Sequence, residues 1–133
     1  MEIKFNDATS QRPEGERIID APLVTIDIIA QIEQTKNEST WKDSDRNSIT
    51  VFKTNGLRIL LIGLHKNAEM SKHKAEGLIS LQVLEGIILF KTDEHSVEVG
   101  QGQMLALHSG IPHSVLAKEE AFFLLTLTTH KPS

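Results

Sequence analysis

Histidine is the residue type through which this chain could do chemistry. The sequence has six histidines and neither cysteine nor tyrosine, so a metal would need imidazole, carboxylate or water ligands, and neither a thiolate nucleophile nor a phenolic acid is present. His73 lies in the stretch SKHKAEGLISLQVLEG, residues 71–86, which has the outline of a metal-binding strand and turn. A hydrophobic residue stands where an acidic ligand would be expected. The stretch therefore indicates either a metal site or the frame of one whose ligands have been replaced.

Strand alternation indicates which side chains share an interior face, because successive side chains point to opposite sides of a sheet. In LISLQVL, Ile79, Leu81 and Val83 share the more apolar face, so we expect them to point inward. By the same count His113 lies with Val115, and we expect that face to be interior as well. Together these residues predict an apolar cavity with histidine at its edge.

A third histidine is a candidate by the same parity argument. His65 shares a strand face with Ile59 and Leu61, which we expect to point inward, and it lies at the end of that strand. His95 and His130 lie in a charged turn and in the C-terminal tail, and we expect both at the surface. By parity, the histidines predicted to point inward are therefore His65 and His113.

The positioning elements are predicted to be β-strands. After residue 48, short β-rich runs alternate with turn signals about every 8 to 12 residues, which is typical of an antiparallel sandwich or barrel with about eight strands. The pair Asn55-Gly56 between SITVFK and LRILLIGLH is well suited to a tight hairpin. We expect residues 49–133 to form this barrel domain, with Met70 and Met104 as core fillers or pocket walls.

Residues 1–48 are predicted to form an N-terminal arm, one short helix and a loop. Residues 1–17 are polar and predict a loose arm. From Asp27, the segment DIIAQIEQTKNE places three isoleucines at one-turn spacing behind a residue suited to N-capping, which predicts an amphipathic helix. These are Ile28, Ile29 and Ile32. The stretch STWKDSDRNS predicts a loop, in which Trp41 either caps the barrel mouth or packs on its rim.

The last predicted strand, AFFLLTLTT, is apolar on both faces. Phe123, Leu125 and Leu127 lie on one face and Phe122 and Leu124 on the other. An antiparallel strand usually leaves one face in water, so we expect the outer face to be covered by the N-terminal segment, the helix or a second subunit. This strand is the basis on which we predict a homodimer.

Composition excludes several classes of function. A chain of 133 residues with 39% hydrophobic and 24% charged residues suits one globular domain, and no apolar run approaches the length of about 20 residues that spans a bilayer. The net charge of −4 and the scattered basic residues argue against nucleic-acid binding. The N-terminus does not resemble a secretory signal, so we expect a cytoplasmic protein without membrane insertion.

These motifs resemble those of the cupin superfamily of small RmlC-like proteins. Setting Gly86 on the last glycine of the first cupin motif puts His73 on its first histidine, Ala75 on its second and Ile79 on its glutamate. In the second motif three residues match and two do not. Gly102, Gly110 and His113 match, while His108 replaces the proline and Ala117 the asparagine. The resemblance covers roughly residues 57–127 and extends to short cupin-like proteins, some related to quercetin dioxygenases, whose functions are mostly unassigned.

The resemblance implies a fold and a kind of site. The implied fold is all-β, a cupin double-stranded β-helix (jelly-roll barrel), here with an N-terminal arm and one short helix. Metal-dependent cupins hold iron, manganese, nickel or zinc with three histidines and a glutamate, of which this alignment supplies only His73 and His113. His65 is the preferred third ligand by parity. Weaker candidates, separated by turns, are Glu69, Glu76 and His108.

Three functions remain open from the sequence. The first is binding of a small organic ligand in the barrel cavity beside an incomplete metal site, with Ile79, Leu81, Val83 and Val115 as walls and His73 and His113 as polar contacts. The second is a metal-dependent, dioxygenase-like enzyme that uses the two histidines and a third ligand. The third is a homodimer with a structural or regulatory role. Acid–base catalysis by His73 or His113, as in the sugar-epimerase relatives of the fold, is a further alternative.

Overall fold

The computed structural model describes residues 4–6 and 17–129, with side chains from residue 18 onward. His130 and most of the predicted arm lie outside these residues. The described part contains eleven strands and two helices. They are β1 (Lys4–Asn6), β2 (Arg17–Asp20), α1 (Ile28–Lys36), α2 (Ser39–Lys42), β3 (Arg46–Thr54), β4 (Leu57–Leu64), β5 (Glu69–His73), β6 (Ile79–Glu85), β7 (Ile87–Lys91), β8 (Ser96–Gly100), β9 (Met104–Leu107), β10 (His113–Ala117) and β11 (Ala121–Thr128).

Nine of these strands form two packed antiparallel sheets, as the sequence predicts for a jelly-roll barrel. The five-stranded sheet has the order β3-β4-β11-β6-β9, and the four-stranded sheet has the order β5-β10-β7-β8. The strands β1 and β2 form a separate hairpin. β3 begins at Arg46, just before the predicted domain boundary, and pairs with β4 around the predicted Asn55-Gly56 turn.

The chain passes from one sheet to the other at Gly86, between β6 and β7. Gly86 has a φ of +81°, and a Cβ atom there would lie 2.1 Å from the backbone oxygen of Glu120. No side chain fits that space, and the backbone angle also favours glycine. The glycine on which the first motif is aligned is therefore required by a close approach of two backbone segments.

The main core lies between the two sheets. Ile79, Leu81, Val83 and Val115 are all buried there, so the predicted inward direction of these side chains is correct. Their partners in this cluster come from both sheets. Among them are Ile62, Leu64, Ile88, Phe90, Val99, Phe123 and Leu125.

A second core covers the outer face of the five-stranded sheet. Ile32 of α1 and Trp41 of α2 pack there against Phe122 of β11. Ile49, Val51 and Leu61 complete this cluster. The sequence analysis allowed the N-terminal segment, the helix or a second subunit to cover the outer face of the last strand, and the helix is the one observed. This strand therefore no longer supports the prediction of a dimer.

The predicted helix begins as expected but buries only part of its isoleucine set. Asp27 caps α1, because its Oδ1 accepts a hydrogen bond of 3.0 Å from the backbone N–H of Ala30. Ile28 and Ile32, one turn apart, pack on the sheet, whereas Ile29 is 72% exposed because the next residue is rotated by about 100° around the helix. Across the described residues, no helix has the length and apolar character required to cross a membrane.

Two local predictions are wrong. The predicted loop at Trp41 contains α2, and Trp41 is only 4% exposed within the second core, so it does not cap the barrel mouth. The face of β4 that carries Ile59 and Leu61 points toward the helices, while Leu60, Ile62 and Leu64 point into the barrel. Both faces of β4 are apolar, so alternation alone could not say which one is interior.

Candidate ligand site beside a histidine pair

His73 and His113 meet at one end of the four-stranded sheet. His73 ends β5, His113 begins β10, and the two are direct partners in the register of these antiparallel strands. Their ring centroids are 4.4 Å apart, with the ring planes inclined by 58°. His113 is 3% exposed, whereas His73 is exposed to solvent. Strand pairing thus brings together the two histidines that the motif alignment selects.

Both rings are fixed by the same local hydrogen bond. The Nδ1 atom of His73 lies 2.9 Å from the carbonyl oxygen of Ser71, and that of His113 lies 3.0 Å from the carbonyl oxygen of Ile111. A carbonyl oxygen only accepts, so each Nδ1 carries a proton, and in the neutral ring Nε2 then has a lone pair for another partner. This tautomer is the one that metal-binding histidines usually adopt.

Burial keeps His113 neutral near pH 7. Removal of the ring from water lowers the pKa of His113, and the nearby His73 lowers it further. The hydrogen bond to the Ile111 carbonyl acts in the opposite direction. A neutral imidazole with a lone pair on Nε2 can accept a hydrogen bond or bind a cation.

The predicted third metal ligand is elsewhere. His65 stacks on Trp41 with ring centroids 3.7 Å apart, and its Nε2 lies 2.9 Å from the backbone oxygen of Trp41. Its Nδ1 lies 3.4 Å from Oε1 of Glu120. The prediction that His65 joins His73 and His113 is wrong, because His65 extends from the helix-covered side of β4.

Within residues 18–129, no carboxylate or further histidine takes the place of His65. Among residues 18–129, no three side chains of histidine, aspartate or glutamate converge as they would around a metal ion. The weaker candidates Glu69, Glu76 and His108 therefore do not complete the site. Ile79, at the aligned glutamate position, is 5% exposed and belongs to the apolar core.

The interior next to the histidine pair is almost filled. The cavity there has a volume of only about 10 Å³, about the space of one water molecule. It is lined by Met70, His73, Leu81, Phe90, His113, Val115, Phe123 and Leu125. Ile79 and Val83, which the sequence assigned to the pocket wall, are packed in the core outside this lining. The predicted barrel cavity therefore has no room for an organic ligand in this structure.

A larger groove lies between the edge strands of the two sheets, β8 and β9. Its volume is about 480 Å³, within the range of small-molecule sites. Its apolar wall consists of Phe90, Val97, Leu105, Ala106, Leu107 and Ile111. Its polar rim consists of Thr92, Asp93, Glu94, His95 and His108. Sequence analysis predicted His95 at the surface and did not predict the groove. The sequence signal for the groove is the presence of polar turns after two apolar strands, β7 and β9.

Phe90 separates the groove from the histidine pair. Its ring is nearly parallel to that of His113, at 14° and with centroids 5.4 Å apart. Phe90 also lines both the groove and the small cavity. A molecule in the groove would therefore contact the aromatic ring that packs on His113.

The rim turn of the groove is held by local hydrogen bonds. Thr92 Oγ1 accepts hydrogen bonds from the backbone N–H groups of Glu94, at 3.3 Å, and His95, at 3.0 Å. Asp93 forms an ion pair with Lys72 of β5. These contacts fix the turn that brings two carboxylates and an imidazole to the groove.

Comparison with known proteins identifies the fold. No family model and no curated protein matches this chain. A conserved protein of unknown function from Streptococcus pyogenes is similar in structure, with 28% identity, a TM-score of 0.61 and coverage of 66% of this chain and 75% of that one. An RmlC-like cupin protein from Desulfovibrio desulfuricans has 23% identity and a TM-score of 0.60 over 65% of this chain and 85% of that one.

A structural neighbour with a named enzymatic activity matches a smaller share of both chains than the two proteins above. A salicylate 1,2-dioxygenase from Pseudaminobacter salicylatoxidans has 18% identity and a TM-score of 0.57 over 62% of this chain and 26% of that one. At these identities the likeness establishes the architecture. The chain has the RmlC-like cupin fold. At the positions of the cupin ligand motif, the described residues bring together two histidines, His73 and His113.

Proposed function

We propose that this chain, a protein of the cupin fold, binds a small and largely apolar organic molecule in the groove between β8 and β9. The observation that carries the proposal is the groove itself, an apolar space of about 480 Å³ with a few polar groups at one rim. The interior cavity of about 10 Å³ supports no such role in this structure. The binding site thus differs from the barrel cavity that the sequence suggests.

A substitution inside the groove tests this proposal. Val97 is 43% exposed on edge strand β8, so Val97→Lys should leave the fold intact while placing a long charged side chain in the apolar space. We expect wild-type protein to bind the neutral fluorescent probe N-phenylnaphthylamine saturably. We expect Val97→Lys to weaken that binding about tenfold, because apolar contact is lost and a cation must be desolvated.

The matched control is Ile29→Lys. Ile29 is also an exposed apolar residue, at 72%, but it lies on α1 and lines no part of the groove. We expect this variant to bind the probe like the wild type. Equal binding by Val97→Lys and wild type, or an equal loss in both variants, would show that the probe does not occupy the groove.

A second candidate function is weak binding of a divalent transition metal by His73 and His113. It is favoured by the closeness of the two rings, 4.4 Å between centroids, and by the local hydrogen bond that both share, in which Nδ1 donates to a backbone carbonyl and Nε2 is left for another partner. The described residues do not fit the iron site of a non-haem oxygenase, which needs at least three protein ligands. No oxygenation step is therefore derived for this chain.

Metal analysis separates the two candidates. For protein purified without a histidine tag, we expect well under one equivalent of iron, nickel, manganese or zinc. Zinc added in a titration should bind weakly, and His73→Ala combined with His113→Ala should abolish that binding, whereas His95→Ala should not. Near-stoichiometric metal in the wild type, lost in the double variant, would instead support the enzyme hypothesis and contradict our preference.

A further inference from the structure

We propose that the molecule bound in the groove is an apolar amine, with its hydrocarbon body on the wall and its ammonium group at the rim. This inference rests on the proposed function and specifies the charge of the ligand. It follows from which charged residues line the groove and from how they are paired.

The charged residues that line the groove are both acidic. Asp93 and Glu94 belong to the rim, and among the described residues neither a lysine nor an arginine is part of the lining. The ion pair with Lys72 partly neutralises Asp93. Glu94 forms no ion pair within the described part of the chain and is exposed beside the groove. The rim therefore carries one carboxylate whose charge is not balanced by a neighbouring cation.

An acidic ligand would be disfavoured at this rim. A carboxylate there would face Glu94 without a lining cation to pair with, and like charges repel over several ångströms even in water. An ammonium group instead gains attraction to Glu94 and can donate hydrogen bonds to a carboxylate oxygen. A neutral hydroxyl group is neither repelled by the charge of Glu94 nor attracted as strongly as an ammonium group. The electrostatic order of preference is therefore amine, then alcohol, then acid.

The apolar wall determines the remainder of the ligand. Phe90, Val97 and Leu107 provide surface against which a hydrocarbon chain or an aromatic ring can pack. The acidic residues of the rim lie at one side of this wall, because both come from the single turn between β7 and β8. A molecule with one apolar end and one cationic end matches this arrangement.

Three probes with one hydrocarbon body test the inference. They are phenylbutylamine, phenylbutanol and phenylbutyrate, titrated into the intact chain and followed by backbone amide chemical shifts. At low ionic strength we expect the amine to bind about fivefold more tightly than the alcohol, and the acid more weakly than either. The preference for the amine should shrink at high salt, because the rim is exposed to solvent.

Glu94→Gln is the decisive variant. It should reduce the affinity for the amine to about that for the alcohol and leave the alcohol unchanged, whereas Glu33→Gln on the exposed side of α1 should change neither. If the alcohol binds and the acid binds as tightly as the amine, or if Glu94→Gln has no effect, the charge inference is wrong although the groove binds ligands. If none of the three probes shifts residues of the groove, the proposed function itself fails.

Discussion

His113 shows at the residue scale how burial changes chemistry. The ring is 3% exposed, and its removal from water lowers its pKa below the ordinary histidine value. Alignment with the cupin motif selected this residue as a candidate ligand, and strand alternation predicted that it faces the barrel interior. Its tautomer depends on the Ile111 carbonyl. Its lowered pKa depends on burial, with a further contribution from His73 across the strand pair. Parity specifies neither partner.

The lowered pKa predicts a dependence of stability on pH. Below about pH 6.5 the unfolded chain binds a proton at His113 that the folded chain resists, so the free energy of unfolding should fall as the pH is lowered through this range. Urea denaturation at pH 7.5 and 5.5 measures the change. His113→Leu should reduce the loss between these two pH values.

The control for this prediction is His95→Asn. His95 is exposed in the turn between β7 and β8, so replacing it should leave the loss of stability between pH 7.5 and 5.5 as in the wild type. A wild-type protein equally stable at both pH values, or a His113→Leu variant with an undiminished loss, would contradict the assignment to His113.

His65 shows why parity identifies shared faces but not interior faces. The grouping of His65 with Ile59 and Leu61 was correct in register, but that face of β4 packs under the helices. Both faces of β4 and of β11 are apolar, because one meets the barrel core and the other meets α1 and α2. In an amphipathic strand the apolar face is the interior face. In a strand that lies between two cores both faces are apolar, so alternation does not show which face points into the barrel.

At the scale of elements, α1 and α2 pack on the outer face of the five-stranded sheet and form a second core with it. Ile32 and Trp41 are 3% and 4% exposed in that cluster. The helix was predictable from Asp27 and the isoleucine spacing. Where this helix packs was not predictable. The apolar outer face of β11 is equally compatible with cover by the N-terminal segment, by the helix or by a second subunit.

This docking predicts a contrast between two isoleucines of α1. Ile32→Ala should lower the free energy of unfolding by about 2 to 4 kcal/mol, because it leaves a cavity under the helix. Ile29→Ala should change the free energy by less than about 0.5 kcal/mol, because Ile29 is 72% exposed. Urea unfolding followed by the fluorescence of Trp41, the single tryptophan, measures both. Similar losses in the two variants would mean that α1 does not pack as described.

At the scale of the whole molecule, a homodimer is still a proposal, and it now depends on a different surface. The outer face of β11 is covered, but the N-terminal part of the chain exposes Ile18, Leu23 and Ile29, at 48%, 80% and 72%. Ile18 and Leu23 line a common groove, and exposed hydrophobic residues that lie near one another are typical of association surfaces. We infer that, if two chains associate, this segment contributes to the contact.

Light scattering at micromolar concentration tests the proposal. We expect about twice the chain mass of 14.8 kDa for the wild type. The mass should fall to that of one chain when Ile18→Glu and Leu23→Glu are combined, because buried charges would oppose association. Met104→Glu, at a residue 61% exposed on β9, serves as the control and should keep the dimer mass. A monomeric wild type would exclude the homodimer.

Through alternation and turn residues, the sequence by itself determined an antiparallel sandwich or barrel after residue 48 and the inward direction of Ile79, Leu81, Val83 and Val115. The resemblance to the cupin motifs implied the jelly-roll barrel and selected His73 and His113. All of these signals are local in the chain. Only the tertiary structure decided that the barrel interior beside the histidine pair is almost filled, that His65 packs on Trp41, and that a groove of about 480 Å³ lies between β8 and β9. Such features depend on how far apart two sheets pack and which strand edges remain open, and those distances are set by side chains remote from one another in the chain.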